Sequence, residues 1–183
     1  MLIWLLITVG VVFLDQITKW LAVIFLQGNA AVPVIPWFIQ LSYLENRGAA
    51  WGMFADQRWV FMTISTIAII AICVYMFVKR PENKLLSISL AFIVGGGIGN
   101  MIDRVLLGFV VDFLEFTFID FPIFNVADSF VCIGAGMLLL YMTILTVKEY
   151  KDEKLAKQIG AENTDGRQNS DARDGGNGDG NEN

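Results

Sequence analysis

The sequence has 183 residues and no histidine, and this absence excludes several kinds of chemistry. Histidine is the commonest general base and a frequent metal ligand in enzymes. Ser-His and Cys-His nucleophile pairs, His-ligated haem and the HExxH zinc helix are therefore excluded. Any reaction has to use carboxylates, lysines or cysteines. The two cysteines, Cys73 and Cys132, lie inside apolar runs, where a thiol usually serves as a small packing residue.

Basic residues are also scarce, with 13 lysines and arginines against 18 acidic residues, and they form no basic patch. We therefore expect no nucleic-acid partner. Hydrophobic residues make up 55% of the chain and are concentrated in long blocks. Four blocks reach the roughly 20 mostly apolar residues that a transmembrane helix needs, at residues 2–26, 59–78, 85–107 and 124–147. The four prolines fall outside these blocks. We predict an all-α membrane protein with four transmembrane helices.

The distribution of lysine and arginine predicts the orientation of these helices. The link at 79–84 contains three basic residues and the segment after the fourth block contains several more, whereas the loop at 108–123 contains none. Because cytoplasmic loops carry the excess of positive charge, both termini are predicted to be cytoplasmic, and the loops at 27–58 and 108–123 to lie outside. Extended and partly alternating patterns at 37–44 and 110–118 predict a small β element in these outer loops.

A change of composition divides the chain into two regions. Residues 1–150 contain the apolar blocks and form the predicted membrane domain. From about Gly160 onward, glycine, asparagine, aspartate and serine dominate, so this part cannot bury enough apolar surface to offset its ordering entropy. We therefore predict a polar, disordered cytoplasmic tail over residues 151–183.

Charged side chains inside the apolar blocks cost roughly 2.5–3.5 kcal/mol each in lipid, so each one needs a reason. Asp15 and Lys19 are four residues apart, which places them on one face of the first helix, where they can neutralise each other. In the third helix, Asn100, Asp103 and Arg104 share a polar face beside glycines that permit close helix packing. Structural packing and a functional site are alternative interpretations of both groups.

Two further acids, Asp112 and Asp128, are predicted to lie near the outer membrane surface, at the end of the third helix and in the first turn of the fourth. Two carboxylates in close contact share a proton, so one can activate a water while the other protonates a carbonyl. This chemistry hydrolyses peptides with no metal, cofactor or covalent intermediate. The structural alternatives are that Asp112 is a solvated loop acid and that Asp128 forms a capping box with Asn125.

Five sequence blocks, taken in order, resemble bacterial lipoprotein signal peptidase (signal peptidase II), a family of integral-membrane aspartyl peptidases. The blocks are DQITKW from Asp15, ENRGAAWG from Glu45, GGGIGNMIDR from Gly95, VVDFLEF from Val110 and FNVADS from Phe124. Together they extend from the first predicted helix to the last and leave only the tail outside.

The resemblance implies a membrane-embedded aspartic endopeptidase. Its substrate would be a diacylglyceryl-modified prolipoprotein, whose signal peptide is removed by cleavage just before the lipidated cysteine. The resemblance implies that Asp112 and Asp128 are the catalytic pair. It assigns supporting roles to Asp15, Lys19, Asn46, Gly48, Asn100, Arg104 and Asn125. Asp103 stands in an equally strong block, and its neighbour Arg104 favours a structural ion pair for it.

The expected partners are the prolipoprotein and membrane lipid. We expect a monomer in the bacterial cytoplasmic (inner) membrane, with the active site facing the outer side. The apolar segment at 48–54 predicts a lipid-facing groove, and the loop at 27–58 is a candidate to close over the scissile bond. Trp37, Trp51 and Trp59 are predicted to be interfacial anchors.

Two other functions fit the same membrane topology. A small four-helix transporter would use Asp15 or Asp103 as its intramembrane carboxylate and would not need an acid pair at the outer mouth. A non-catalytic membrane scaffold would use the polar residues only for helix packing.

Overall fold

The computed structural model of the chain describes residues 2–48 and 58–174. Within these residues the helices are α1 (Leu2–Leu26), α2 (Arg58–Lys79), α3 (Lys84–Leu106) and α4 (Val126–Asp174). Each helix includes a stretch long and apolar enough to cross a membrane. The prediction of four candidate transmembrane helices is thereby confirmed, whereas the orientation of the termini stays a prediction.

A small antiparallel sheet is formed by β1 (Val32–Ile35), β2 (Ile39–Asn46) and β3 (Val110–Phe116), in that order across the sheet. It confirms the β element predicted for the two longer loops. The sequence patterns did not indicate β1, because the strand is short and includes Pro33, which cannot donate a ladder hydrogen bond. The sheet accommodates this residue on an edge strand, with a register shift after it.

Apolar packing holds the sheet against the end of α1. Ala22 and Leu26 of α1 form one buried cluster with Val111 and Phe113 of β3. Because successive residues of a strand point to opposite faces, the residue between these two, Asp112, faces away from this cluster. The sheet therefore fixes the position of Asp112 relative to α1.

Local capping determines where α3 begins and ends. The Asn83 side chain accepts a hydrogen bond from the backbone N–H of Leu86 at 3.1 Å. At the other end, the backbone oxygen of Asp103 accepts from the N–H groups of Leu107 at 2.7 Å and Gly108 at 3.2 Å. Gly108 has φ 86, a left-handed conformation that favours glycine. The chain thus leaves α3 abruptly, and only three residues separate α3 from the start of β3.

The glycines at 95–97 let α3 approach three other helices at once. A Cβ added to the first would lie 2.8 Å from the Cβ of Val11 in α1. A Cβ on the second would collide with the backbone oxygen of Ala127 in α4, and one on the third would lie 3.1 Å from Ile69 in α2. The predicted role of these glycines in close helix packing is therefore observed.

Large apolar side chains cover the outward faces of the helices, as lipid-facing surfaces require. Trp37 and Trp59 are exposed, which fits the prediction of interfacial anchors. Trp51 and most of the groove predicted at 48–54 lie outside the described residues. The closing movement suggested for the loop at 27–58 stays a prediction.

The chain divides into two compact units, Met1–Leu139 and Leu140–Asn183. In the second unit α4 continues to Asp174, beyond the predicted end of the fourth block at 147. The segment after 147 is rich in lysine and glutamate, which are strong helix formers, and Lys157 pairs with Glu153 at 2.6 Å. The membrane domain at 1–150 and the disordered tail at 151–183 stay predictions.

We expect Gly96→Ala to lower the melting temperature of the purified protein, because the new methyl group has to displace the α4 backbone. Overpacking of this kind typically costs about 1–3 kcal/mol. Gly10→Ala is the matched control, since a Cβ there has no heavy atom within 4 Å. Its better helix propensity should leave stability unchanged or slightly higher. Equal melting temperatures for the two variants would contradict the packing role of Gly96.

Candidate active site

The ammonium group of Lys19 lies at the centre of a buried polar cluster between α1 and α3. Its Nζ is 2.9 Å from Asp15 Oδ2 and 3.1 Å from Asp103 Oδ2, and it donates a hydrogen bond to Asn100 Oδ1 at 2.9 Å. The three N–H groups of the ammonium thus have three oxygen acceptors, which offsets the cost of burying the charge. The pairing of Asp15 with Lys19 agrees with the sequence interpretation.

Asp103 forms its ion pair with Lys19, whereas its sequence neighbour Arg104 was the expected partner. Consecutive residues on a helix point in directions about 100° apart, so adjacency does not favour contact between their side chains. The Oδ2 atom of Asp103 also accepts a hydrogen bond from the backbone N–H of Val111 at 3.1 Å. Asp103 therefore joins α3 to the start of β3.

Asp15 connects α1 to α4. Its Oδ1 accepts a hydrogen bond from the backbone N–H of Ala127 at 2.9 Å. This N–H belongs to the first turn of α4, where backbone donors lack partners within the helix and a negative charge is favourable. A Cβ on Gly99 would lie 2.5 Å from Asp15 Oδ2, so the close approach of α1 and α3 requires glycine there.

Gln16 belongs to the same cluster, and the sequence interpretation missed it. Its side-chain amide donates to Asp103 Oδ1 at 2.9 Å, to the backbone oxygen of Gly99 at 3.1 Å and to Asp15 Oδ2 at 3.2 Å. The only sequence signal was its place beside Asp15 in the first block. Because its acceptors on α3 are remote in sequence, spacing could not indicate this role.

Asn100 connects the Lys19 cluster to Asp128 through hydrogen bonds. Its Oδ1 accepts hydrogen bonds from Lys19 and from Asn125 Nδ2, the latter at 3.0 Å. The amide orientation is thereby fixed, and its Nδ2 donates to Asp128 Oδ1 at 2.7 Å. A change at Lys19 would therefore affect the orientation of Asp128.

Asn125 contacts both carboxylates of the predicted pair. It precedes α4, and its Oδ1 accepts from the backbone N–H of Asp128 at 2.9 Å, while its own N–H donates to Asp128 Oδ2 at 3.2 Å. This reciprocal arrangement is the capping box that the sequence suggested. The side-chain Nδ2 of Asn125 also donates to Asp112 Oδ1 at 2.6 Å.

Asp112 is buried, with 1% of its surface exposed, so it is not a solvated loop acid. Its Oδ2 accepts a hydrogen bond from Asn46 Nδ2 at 2.7 Å. Burial, and secondarily the negative charge of Asp128, raises the pKa of Asp112 to about 7. The hydrogen bonds from Asn46 and Asn125 oppose this shift, since they favour the ionised form. A carboxyl group that titrates near neutral pH can serve as an acid or a base.

The remaining predicted residues extend the same network. The side-chain oxygen of Asn46 accepts from the backbone N–H of Gly48 at 3.0 Å, which fixes the orientation of the Asn46 amide. Arg104 is half-buried and its Nη1 donates to the backbone oxygen of Asn100 at 3.4 Å. Every residue predicted for the site is therefore connected through hydrogen bonds or ion pairs, although the blocks that contain them are distant in sequence.

The fold and the site together define a class: multi-pass membrane proteins in which two carboxylates share a hydrogen-bonding partner at the end of a membrane helix. Comparisons with known proteins identify the family. A family model described as "Signal peptidase (SPase) II" matches residues 7–144.

Among similar proteins, the "Lipoprotein signal peptidase" of Caldanaerobacter subterraneus subsp. tengcongensis is 50% identical over 135 residues, which cover 73% of this chain and 90% of the relative. That of Symbiobacterium thermophilum is 41% identical over 141 residues, or 75% of this chain and 91% of the relative. A solved "Bacterial membrane enzyme structure by the in meso method at 2.3 A resolution" aligns with a TM-score of 0.72 at 35% identity, covering 78% of this chain and 88% of that one.

The chain belongs to the signal peptidase II family. It is a membrane peptidase, and the activity of its family is the removal of signal peptides from lipoproteins.

We expect Lys19→Met to lower the melting temperature strongly, because it leaves the buried carboxylates of Asp15 and Asp103 without their cation. Breaking a buried pair in this way typically costs about 3–5 kcal/mol. Lys157→Met is the matched control, since Lys157 also pairs with an acid four residues earlier but is exposed. Its melting temperature should stay within error of the wild-type value. Similar losses in both variants would show that burial does not determine the effect.

Proposed function

We propose that Asp112 and Asp128 are the catalytic dyad, and that they hydrolyse the peptide bond immediately before the lipid-modified cysteine of a prolipoprotein. The observation that carries this proposal is the position of Asn125, which donates a hydrogen bond to each carboxylate. This one residue thereby holds both acids in place, one on β3 and the other on α4. This arrangement suits two groups that act on the same water molecule.

The dyad carries one shared proton at neutral pH in this proposal. The pKa of Asp112 is raised to about 7, chiefly by burial and also by the charge of Asp128, so a second negative charge on the pair is unfavourable. Because the two groups interact, the proton belongs to the pair rather than to one residue. Near pH 7 the dyad therefore offers one base and one acid.

The reaction uses both protonation states. The ionised carboxylate takes a proton from the water as the water oxygen bonds to the carbonyl carbon, and the protonated carboxyl gives its proton to the carbonyl oxygen. When the tetrahedral intermediate collapses, the C–N bond breaks and the leaving amine takes a proton from the dyad. The second carboxylate recovers a proton from the intermediate's hydroxyl group, so the dyad returns to its starting state.

Neutral amides position the dyad for these steps. Asn46 and Asn125 donate to the two oxygens of Asp112, and Asn100 donates to Oδ1 of Asp128. These contacts fix both carboxylates without neutralising them. Arg104 lies close enough to both acids for their charges to act on its guanidinium, so it moderates the negative potential of the site. Lys19 acts on Asp128 indirectly, because it donates a hydrogen bond to Asn100, which in turn donates to Asp128.

The proposed setting is the outer side of the bacterial cytoplasmic membrane, where the protein acts as a monomer. The excess of lysine and arginine at 79–84 and after the fourth block supports this orientation, since it assigns the opposite ends of the helices to the outside. A lipidated precursor is itself membrane-bound, so it can reach the dyad sideways through the bilayer. The transporter interpretation is not favoured, because its candidate carboxylates, Asp15 and Asp103, are both paired with Lys19.

We expect Asp112→Asn and Asp128→Asn each to lower kcat for cleavage of a lipidated precursor by at least about a thousandfold, because either change removes the shared proton chemistry. Asp120→Asn is the control, since Asp120 is an exposed acid in the same loop as β3. It should keep wild-type activity. Melting temperatures measured alongside would separate loss of chemistry from loss of fold. Near-normal turnover in either dyad variant with a normal fold would refute the assignment.

The pH dependence gives a second test. We expect kcat/KM to fall as the pH rises through about 7, because the dyad then loses its shared proton. Asn46→Leu removes a hydrogen bond that favours the ionised form of Asp112, so the pKa rises and this fall should move to higher pH. Asn46→Leu should also lower maximal kcat by about tenfold, because the carboxylate is less well positioned.

Gln40→Leu is the control for this shift. Gln40 is also on β2, but its amide donates to Glu115 Oε2 at 2.8 Å and not to the dyad. Its pH profile should match that of the wild type. A profile that moves equally in both variants, or to lower pH in Asn46→Leu, would contradict the proposed protonation state.

A further inference from the structure

A cavity of about 580 Å³ lies at the ends of α1, α2 and α3 that are remote from the dyad. Ile3 and Ile7 of α1 and Ile88 of α3 give it an apolar wall. Arg80 and Lys84, in and after the link between α2 and α3, lie on its rim. Its volume is within the range of roughly 300–1,000 Å³ that is typical of small-molecule sites. The proposed peptidase reaction uses none of these residues.

The rim of this cavity carries excess positive charge. Arg80 and Lys84 are exposed, and in the part of the chain that the structure describes neither forms an ion pair. Glu82 is the one acid that lines the cavity among the described residues. The two cations therefore outnumber the acid, and the rim is suited to a ligand with negative charge.

The backbone of the link brings the two cations to the same cavity. Arg80 has φ 46, a left-handed conformation that ends α2 directly after Lys79. The chain then passes through Pro81 and starts α3 at Lys84, where the Asn83 side chain caps the helix. The link is consequently short, and both cations lie beside the apolar wall.

The level of the cavity in the membrane follows from the helix ends. α1 begins at Leu2, α2 ends at Lys79 and α3 begins at Lys84, and all three helices are membrane-spanning candidates. Their shared end lies where the hydrocarbon core meets the lipid headgroups. A cavity at this level with an apolar wall and a basic rim has the form of a site for an amphiphile.

We propose that this cavity binds one anionic glycerophospholipid, with its phosphate against Arg80 and Lys84 and an acyl chain along the wall formed by Ile3, Ile7 and Ile88. Basic pockets between transmembrane helices are a general means of recognising anionic headgroups. The lipid contacts α1, α3 and the link that precedes α3, so its binding stabilises their packing. This site is separate from the dyad and does not depend on the proposed function.

The test is the melting temperature of the full-length protein in detergent micelles with added phosphatidylglycerol or phosphatidylcholine. We expect phosphatidylglycerol to raise the melting temperature by at least about 4 °C at saturation, and phosphatidylcholine to raise it by less than half as much. Inorganic phosphate at the same concentration should have no effect, because it lacks the acyl chain.

The lysines on either side of the link, Lys79 and Lys84, provide matched variants. Lys84→Gln removes a cation from the rim and should lose at least half of the phosphatidylglycerol shift. Lys79→Gln removes a cation that is also exposed but does not line the cavity, and this variant should keep the full shift. Ile88→Trp places a bulky side chain in the cavity and leaves every charge in place. This variant should also lose the phosphatidylglycerol shift in melting temperature. Melting temperatures without lipid report the fold of each variant.

Several outcomes would overturn the proposal. Equal losses in Lys84→Gln and Lys79→Gln would indicate general attraction to an anionic surface. An unchanged shift in Ile88→Trp would show that the cavity is not the site. A full shift with inorganic phosphate would indicate an anion site without lipid specificity, and equal shifts with both phospholipids would exclude recognition of charge.

Discussion

Three oxygens surround the ammonium of Lys19, and the arrangement of the site depends on this contact. In a membrane interior no water is available to solvate a charge, so the protein itself has to supply every partner. The acceptors come from α1 and α3, and each of them forms a further hydrogen bond. Asp15 accepts one from the first turn of α4, Asp103 accepts one from the start of β3, and Asn100 donates one to Asp128. One satisfied charge thereby connects three helices and one strand around the proposed dyad.

The electrostatic environment of the proposed dyad differs from that of the Lys19 cluster. Asp15 and Asp103 are compensated by a cation, whereas the hydrogen-bond donors on Asp112 are the neutral amides of Asn46 and Asn125. Amides can position a buried carboxylate without cancelling its cost of ionisation. Burial, and secondarily the charge of Asp128, raises the pKa of Asp112 to about 7, so in our proposal a proton stays on the pair near neutral pH. The Lys19 cluster holds the helices together, and in our proposal the Asp112–Asp128 pair supplies the reactive groups.

Hydropathy and block order predicted much of this arrangement, but only where the signal was local or belonged to the family resemblance. Apolar length located the helix ends to within two residues, except for the C-terminal end of α4, because lipid imposes a minimum helix length. The spacing of Asp15 and Lys19 indicated a contact within one helix. It could not indicate that Asp103 also pairs with Lys19, or that Gln16 binds the same cluster, because those contacts cross between helices. The edge strand β1 was missed because Pro33 breaks the strand pattern.

The proposed mechanism requires that Asp112 and Asp128 share a proton near neutral pH. The most direct measurement is a titration of the protein by carbon-13 NMR with labelled aspartate, in which the resonance of Asp112 is assigned by its loss in Asp112→Asn. We predict that this carboxyl group titrates near pH 7, and at a lower pH once Asp128→Asn removes the neighbouring charge. A resonance that titrates at about pH 4, the usual value for an exposed aspartate, or that does not respond to Asp128→Asn, would contradict it.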